Sequence, residues 1–250
     1  MPIGIMSAMR EEIEALIQEI EVSEKVIRGM RTYYIGKLWG KDTVLVFSRW
    51  GKVASATTAT HLITDFEVDE IFFTGVAGAV HSSLEIGDVV IGDALYQHDM
   101  DASPILEPLE VPLLGKKFFS TNSERNERLT QAVSVFFEDL EQHFPSHEHE
   151  SFGVRDPKKL IGAMASGDQF ISESVQIEKI ASALPDVLCV EMEGAAVAQV
   201  CYEYKVPFNI VRTISDKAND NSHIDFPRFA SQVASRYARG IVKQYFLSTQ

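Results

Sequence analysis

Seven short runs rich in Ile, Val and Phe punctuate the chain: "IGIM", "TVLVFS", "EIFFTGVAG", "DVVIGDALY", "IGAMASGD", "VLCV" and "FNIVRTIS". Apolar on both faces, they suit strands that are covered from both sides. Between several of them lie stretches with apolar residues at helical spacing: "MREEIEALIQEI", "KVASATTATHLITDF", "SVQIEKIASAL", "EGAAVAQVCYEY" and "FPRFASQVASRYARGIVKQYF". Strands that alternate with helices in this way predict an α/β fold, a sheet sandwiched by helices.

The segment from Leu106 to about Arg155 has a different texture, with Pro, Lys, Ser, Asn and His scattered through it and one helix expected near "RNERLTQAVSVFFEDLEQHF". It holds too little apolar material for a second core, so it reads as a peripheral excursion of one domain spanning residues 1–250. Its three histidines in "HFPSHEHE" (His143, His147 and His149) read as a solvated loop. No periodic element supports them, and their glutamates are not spaced like a metal site.

Charge narrows the partners. Against 36 Asp and Glu stand only 23 Lys and Arg, a formal net charge of -13 that repels phosphate backbones and anionic lipid surfaces. The opening "MPIGIMSAMREE" lacks a basic segment leading into an apolar stretch, and no run of about 20 apolar residues follows. A cytoplasmic protein with no nucleic-acid or membrane partner is therefore expected. The two cysteines, Cys189 and Cys201, sit among apolar neighbours without a CxxC and read as buried, inert thiols. Neither GxGxxG nor GxxxxGK occurs, which leaves out the dinucleotide fingerprint and the P-loop.

In an open α/β sheet, ligands bind beyond the carboxyl ends of the strands, so the residues that follow each apolar run carry the information. "IGIM" is followed by "SAMREE" with Glu11 and Glu12, and "EIFF" by the Gly-rich turn "TGVAGA" containing Val76, Ala77 and Gly78. "IGAMA" leads to Ser166, Asp168 and Phe170, "VLCV" to Glu191 and Glu193, and "NIVRTI" to Ser215 and Asp216. Each has a plain structural reading. Acids in a first helical turn gain about 0.3–1 kcal/mol from the helix dipole, which alone would account for Glu11 and Glu12. Ser215 and Asp216 suit a cap, and Glu191 and Glu193 part company only if a helix begins between them.

Brought together in one crevice, Glu12, Glu193 and Asp216 would repel, and at least one would hold a proton near neutrality. Such a set suits general acid/base work on a substrate that develops positive charge. Cleavage at an anomeric carbon fits, because its oxocarbenium-like transition state needs a protonated leaving group and a water on the other face. Phe170 could stack on a planar leaving group such as a base.

These residues fall in motifs that resemble the purine nucleoside phosphorylase/uridine phosphorylase superfamily, and within it the bacterial 5′-methylthioadenosine/S-adenosylhomocysteine nucleosidases. The motifs are "GIMSAMREE", "GKVASA", "FTGVAGA", "IGDVVIGD", "YQHDMDAS", "ASGDQFI", "VEMEGAAVAQVC", "VRTISDKAND" and "HIDF", nearly end to end outside the Leu106–Arg155 segment. The resemblance implies a single domain with a central mixed twisted sheet flanked by helices on both sides, nucleoside phosphorylase-like. It implies a homodimer acting on a small nucleoside with no metal or organic cofactor. It also implies that Glu12, aided by Arg212, activates the hydrolytic water, and that Glu193 binds the ribose hydroxyls. Asp216, oriented by Ser215, would protonate N7 of adenine, with Phe170 stacked on the base and the backbone of Ile171 reading its edge. Met9, Met192 and Phe226 would enclose the 5′-thioalkyl group.

Where phosphorylases of the superfamily grip phosphate with an Arg and a Ser or Thr, this chain holds Phe73 and Val76, which favours hydrolysis. Trp50 stands where many members hold an aliphatic residue, beside the expected sugar and thioalkyl pocket; its plain reading is packing against a neighbouring loop. Ile105 falls in the region that in the family closes the partner's pocket, often with an aromatic. Alternatives within the same chemistry are a 6-amino-6-deoxyfutalosine or 5′-deoxyadenosine hydrolase. Outside it stand a purine nucleoside phosphorylase and a non-catalytic nucleoside-binding protein.

Overall fold

The run "EIFFTGVAG" becomes β5 (Glu70–Ala79), buried along almost its whole length, and the rest of the sheet is arranged around it. A computed structural model describes residues 2–217, 226 and 228–248. The other six apolar runs form β1 (Ile3–Ser7), β4 (Lys41–Phe47), β6 (Val89–Gln97), β8 (Lys159–Ser166), β9 (Val187–Glu191) and β10 (Phe208–Asp216). Three further strands were not predicted: β2 (Glu21–Arg28), β3 (Arg31–Leu38) and the short β7 (Phe118–Ser120). β2 is an edge strand whose residues are nearly all exposed, so it carries neither an apolar run nor a buried face.

β1, β4, β5 and β10 run parallel to one another, and β6, β8 and β9 form a second parallel set. The sets join through two antiparallel pairings, β10 with β6 and β5 with β9. The ring β5-β10-β6-β8-β9 therefore closes on itself. The sheet is mixed, as predicted, but it is not the open sheet from which the strand-exit reasoning started. Closure brings the carboxyl end of β9 against that of β5, with Val190 opposite Gly78.

Helices α1 (Arg10–Glu19), α3 (Ser123–Glu138) and α7 (Ser235–Leu247) cover one face of the sheet. A π-helical turn, Ala230–Ala234, leads into α7. α2 (Lys52–Thr64) and α6 (Gly194–Tyr204) cover the other face, and α5 (Ser174–Ala183) packs on a smaller cluster with Ile171 and Val190. α3 comes from the Leu106–Arg155 segment and buries Leu129, Val133 and Phe136 in the same core as Tyr237 of α7. Through α3 that segment contributes to the helical layer on this face and to the main core.

The histidines of this segment correct the solvated-loop reading. A short helix, α4 (Leu140–His143), and a 3-10 helix, Pro145–Phe152, follow α3. His149 is buried against Phe144, and His143 lies against Phe136. The side chain of His147 lies outside the described residues. Among the described residues no cluster could hold a metal ion, and no helix is long and apolar enough to cross a membrane. Cys189 and Cys201 are buried and free, and burial pushes both thiols well above their ordinary range, as expected of inert thiols.

Candidate active site

The exits of β1, β4, β8, β9 and β10 open onto one cleft of about 570 Å³ whose floor is the carboxyl-terminal part of β5, Val76 to Gly78. Met9, Glu12, Trp50, Val76, Ala77, Gly78, Phe170, Ile171, Met192, Glu193, Ser215, Asp216 and Phe226 all line it. Among the predicted site residues only Arg212 does not. The parts of the last two motifs at 218–225 lie outside the described residues.

At the end of β1 the chain turns into α1 with Met9 at the cap position, which has no side-chain oxygen to satisfy the first amides. Glu12 does this instead: its Oε2 accepts from the backbone N–H of Ala8 at 3.1 Å and of Met9 at 3.0 Å, and from the Ser7 hydroxyl. Its Oε1 accepts from Val76 N–H of β5 at 3.0 Å. Glu12 therefore caps the helix and also lines the cleft, whereas Glu11 is exposed. Burial pushes the Glu12 carboxyl above its ordinary range, against the Ser7 hydroxyl, the Arg212 charge and the two backbone amides that favour the ion. A buried carboxylate held by four donors and poised to take a proton is a base in waiting.

β9 ends at Glu191 and α6 begins only at Gly194, so no helix starts between the two acids; they separate because the chain leaves the extended conformation at Glu193, the cap position of α6. Glu191, whose role the sequence left open, accepts from Gly194 N–H at 2.8 Å and from the Ser166 hydroxyl, and pairs with Arg212 Nη2 at 2.7 Å. The Arg212 guanidinium also lies over the Phe73 ring, 4.1 Å from its centroid. This buried ion pair fixes the junction of β8, β9 and β10, and Arg212 reaches Glu12 only through its charge.

Glu193 turns into the cleft. Its Oε1 accepts from Gly51 N–H at 2.7 Å, across 142 residues of sequence, at the start of α2. Gly51 has φ 91°, a conformation that a residue with Cβ enters at a cost. Burial first, and then the neighbouring Glu191 charge, push the Glu193 carboxyl up to about 8. On β10, the Ser215 hydroxyl donates to Asp216 Oδ2 at 2.8 Å, fixing the direction of a buried carboxyl.

Phe170 is 42% exposed and meets Phe226 edge-on, which in turn meets Trp50 edge-on. Trp50 is thus part of the cleft wall. A network the sequence did not reveal anchors this side. Lys52 Nζ pairs with Asp99 Oδ1 at 2.5 Å, Asp99 Oδ2 accepts from Asp168 N–H at 2.9 Å, and Asp168 Oδ1 accepts from Lys52 N–H at 2.8 Å. Lys52, Asp99 and Asp168 come from three motifs, and nothing in their local patterns marks them as partners. Ser7 was also missed, although its place at the end of β1 and five residues before Glu12 was a usable signal.

The cleft offers a buried carboxyl group at one wall, a second oriented by a serine at another, a third between α2 and α6, and exposed aromatic faces at the mouth. That set can protonate a leaving group, activate water and stabilise a cation.

The sequence model of the phosphorylase superfamily matches residues 2–246. A 5′-methylthioadenosine/S-adenosylhomocysteine nucleosidase of Listeria monocytogenes serotype 4b is 34% identical over 245 residues, 97% of this chain and 98% of its own. The Streptococcus pneumoniae MTA/SAH nucleosidase, solved with 8-aminoadenine, superposes with a TM-score of 0.84 at 31% identity over 100% of both chains. The futalosine hydrolase of Helicobacter pylori superposes at 0.82 with 32% identity, covering 98% of this chain and 97% of that one.

Proposed function

The chain belongs to the phosphorylase superfamily, and within that family we propose that it hydrolyses the N-glycosidic bond of 5′-methylthioadenosine and S-adenosylhomocysteine, releasing adenine. The observation that carries this reading is the meeting of Glu12, Glu193 and Asp216 in one cleft, each buried and each held by its own donors.

Adenine stacks on Phe170 with its edge at the Ile171 backbone, and Asp216, aimed by Ser215, gives a proton to N7. The C1′–N9 bond then breaks toward a neutral leaving group. Glu193 holds the ribose diol and faces the cationic sugar. Glu12 takes a proton from water as its oxygen bonds to C1′. Met9, Met192 and Phe226 enclose the thioalkyl group, for which polarisable methionine is chemically suited. Arg212 acts as a positioning residue through Glu191.

Two features favour water over phosphate. The Val76 amide is already bonded to the Glu12 carboxylate, which repels an incoming anion, and Phe73 is fully buried beneath Arg212. The same reading makes the protein a homodimer in which the partner's loop closes the 5′ pocket. Ile105, 87% exposed, supports this assignment. The deciding experiment is adenine release from 5′-methylthioadenosine without phosphate and with millimolar phosphate. Equal rates with free 5-methylthioribose are expected, and phosphate-dependent release would overturn hydrolysis.

A further inference from the structure

Beyond Trp50 the cleft continues into a second groove of about 650 Å³, which shares Ala8, Met9 and Trp50 with it and adds Phe47, Glu11 and Arg49. Arg49 is the unusual residue. Its Nη2 donates to the Met30 carbonyl at 2.7 Å, and no carboxylate meets it among the described residues, in a chain of net charge -13. Its neighbour Arg31 is likewise spent on the carbonyls of Ser48, Gly29 and Ala54. Arg10 at the groove's edge is offset by Glu14 at 2.7 Å. Among the described residues, positive charge therefore stays uncompensated at Arg49. The residue also sits at φ 77°, where a long side chain costs energy that glycine would avoid, and such strain gathers where a side chain is needed. Trp50 beside it leaves 56% of its surface open.

We propose that this groove is a subsite for 5′ substituents that end in a carboxylate, with the carboxylate on the Arg49 guanidinium and the stem lying along Trp50 and Phe47. A methylthio group is too short to reach it. A homocysteine tail would place its carboxylate on Arg49 and its ammonium near Glu11, which makes no ion pair among the described residues. An aryl carboxylate would stack its ring on Trp50 and use Arg49 alone.

The inference rests on the adenosine-hydrolase reading, and the experiment separates the two. kcat/KM is measured for 5′-methylthioadenosine, S-adenosylhomocysteine and an adenosine bearing a 5′-aryl carboxylate, in the wild type, Arg49→Gln, Arg49→Lys and Glu11→Gln. In Arg49→Gln the ratio of either carboxylate substrate to 5′-methylthioadenosine should fall about tenfold or more, through KM, and Arg49→Lys should recover part of it. A fall for the homocysteine substrate alone in Glu11→Gln supports its ammonium beside Glu11, and an unmoved ratio there overturns that placement; of the two carboxylate substrates, the better fit is the one with the higher wild-type kcat/KM that also falls in Arg49→Gln. A ratio unmoved in Arg49→Gln, with 5′-methylthioadenosine still cleaved, overturns the subsite. Adenine release from none of the three by the wild type overturns the hydrolase reading and the subsite with it.

Discussion

Glu12 and Asp216 divide the proton traffic of the proposed reaction, so each should be separable from folding. Glu12→Gln keeps the side chain's shape and its acceptor oxygen but cannot take a proton, and Asp216→Asn cannot give one. Each should lose on the order of 10²-fold or more in turnover with the fold intact, and Glu12→Gln should also melt somewhat lower, because its amide nitrogen must face a backbone N–H whose hydrogen bond the carboxylate accepted. Near-normal turnover in either would remove that residue from its role. Glu193 makes a different statement. A carboxyl that ionises near 4.5 in the unfolded chain and at about 8 in the folded one keeps a proton between those values that the unfolded chain has lost. Its contribution to stability is complete below 4.5 and drains away as pH rises to about 8. The fall in melting temperature of the unliganded protein from pH 5 to pH 8 should therefore be smaller in Glu193→Gln. An identical fall in both proteins would show that Glu193 is not the group responsible.

At the scale of elements, the cleft depends on how α2 is fastened to the loop after β8. Lys52 stands in the first turn of α2, Asp168 in that loop, and Asp99 just past β6, so the triangle they form ties three elements at the mouth. Burial alone would raise the Asp99 carboxyl, but Lys52 and the Asp168 amide outweigh it and hold it below its ordinary range. Asp99→Asn removes the charge that holds Lys52 and weakens the grip on Asp168. The stacking loop should loosen, raising KM several-fold with kcat less affected, because Glu12 and Asp216 sit on other elements. A loss confined to kcat would place Asp99 in the chemistry instead. α1 shows an element and a site sharing one residue: its first turn has no capping side chain except Glu12, so the proposed base is also the helix's own cap.

For the whole molecule, closure of the ring β5-β10-β6-β8-β9 turns two parallel sets of strands toward each other. Their carboxyl ends then face one space, which is how acids from β1, β9 and β10 converge. The cleft remains open at Trp50 and Phe170, where the proposed partner loop would close it. Sedimentation equilibrium should give twice the 27.9 kDa of one chain. A monomer with full activity would mean that the site is complete within one chain.

All seven apolar runs became strands and the helical patterns became helices, because a segment buried on both faces or along one stripe must advertise it locally. The acids at the strand exits were legible for the same reason: a carboxylate directly after an apolar run is conspicuous. β2 was illegible because an exposed edge strand needs no apolar signal, and His149 because its burial comes from Phe144 and the neighbouring 3-10 helix. The sequence by itself determined the fold class and the residue types of the site. Only the tertiary structure decided that Glu191 belongs to Arg212 while Glu193 faces the cleft, that Gly51 holds Glu193, and that Arg49 meets a backbone carbonyl and no acid among the described residues. Periodicity and burial are properties of neighbours in the chain, whereas the pairing of charges depends on contacts between residues far apart in it, which no local pattern records.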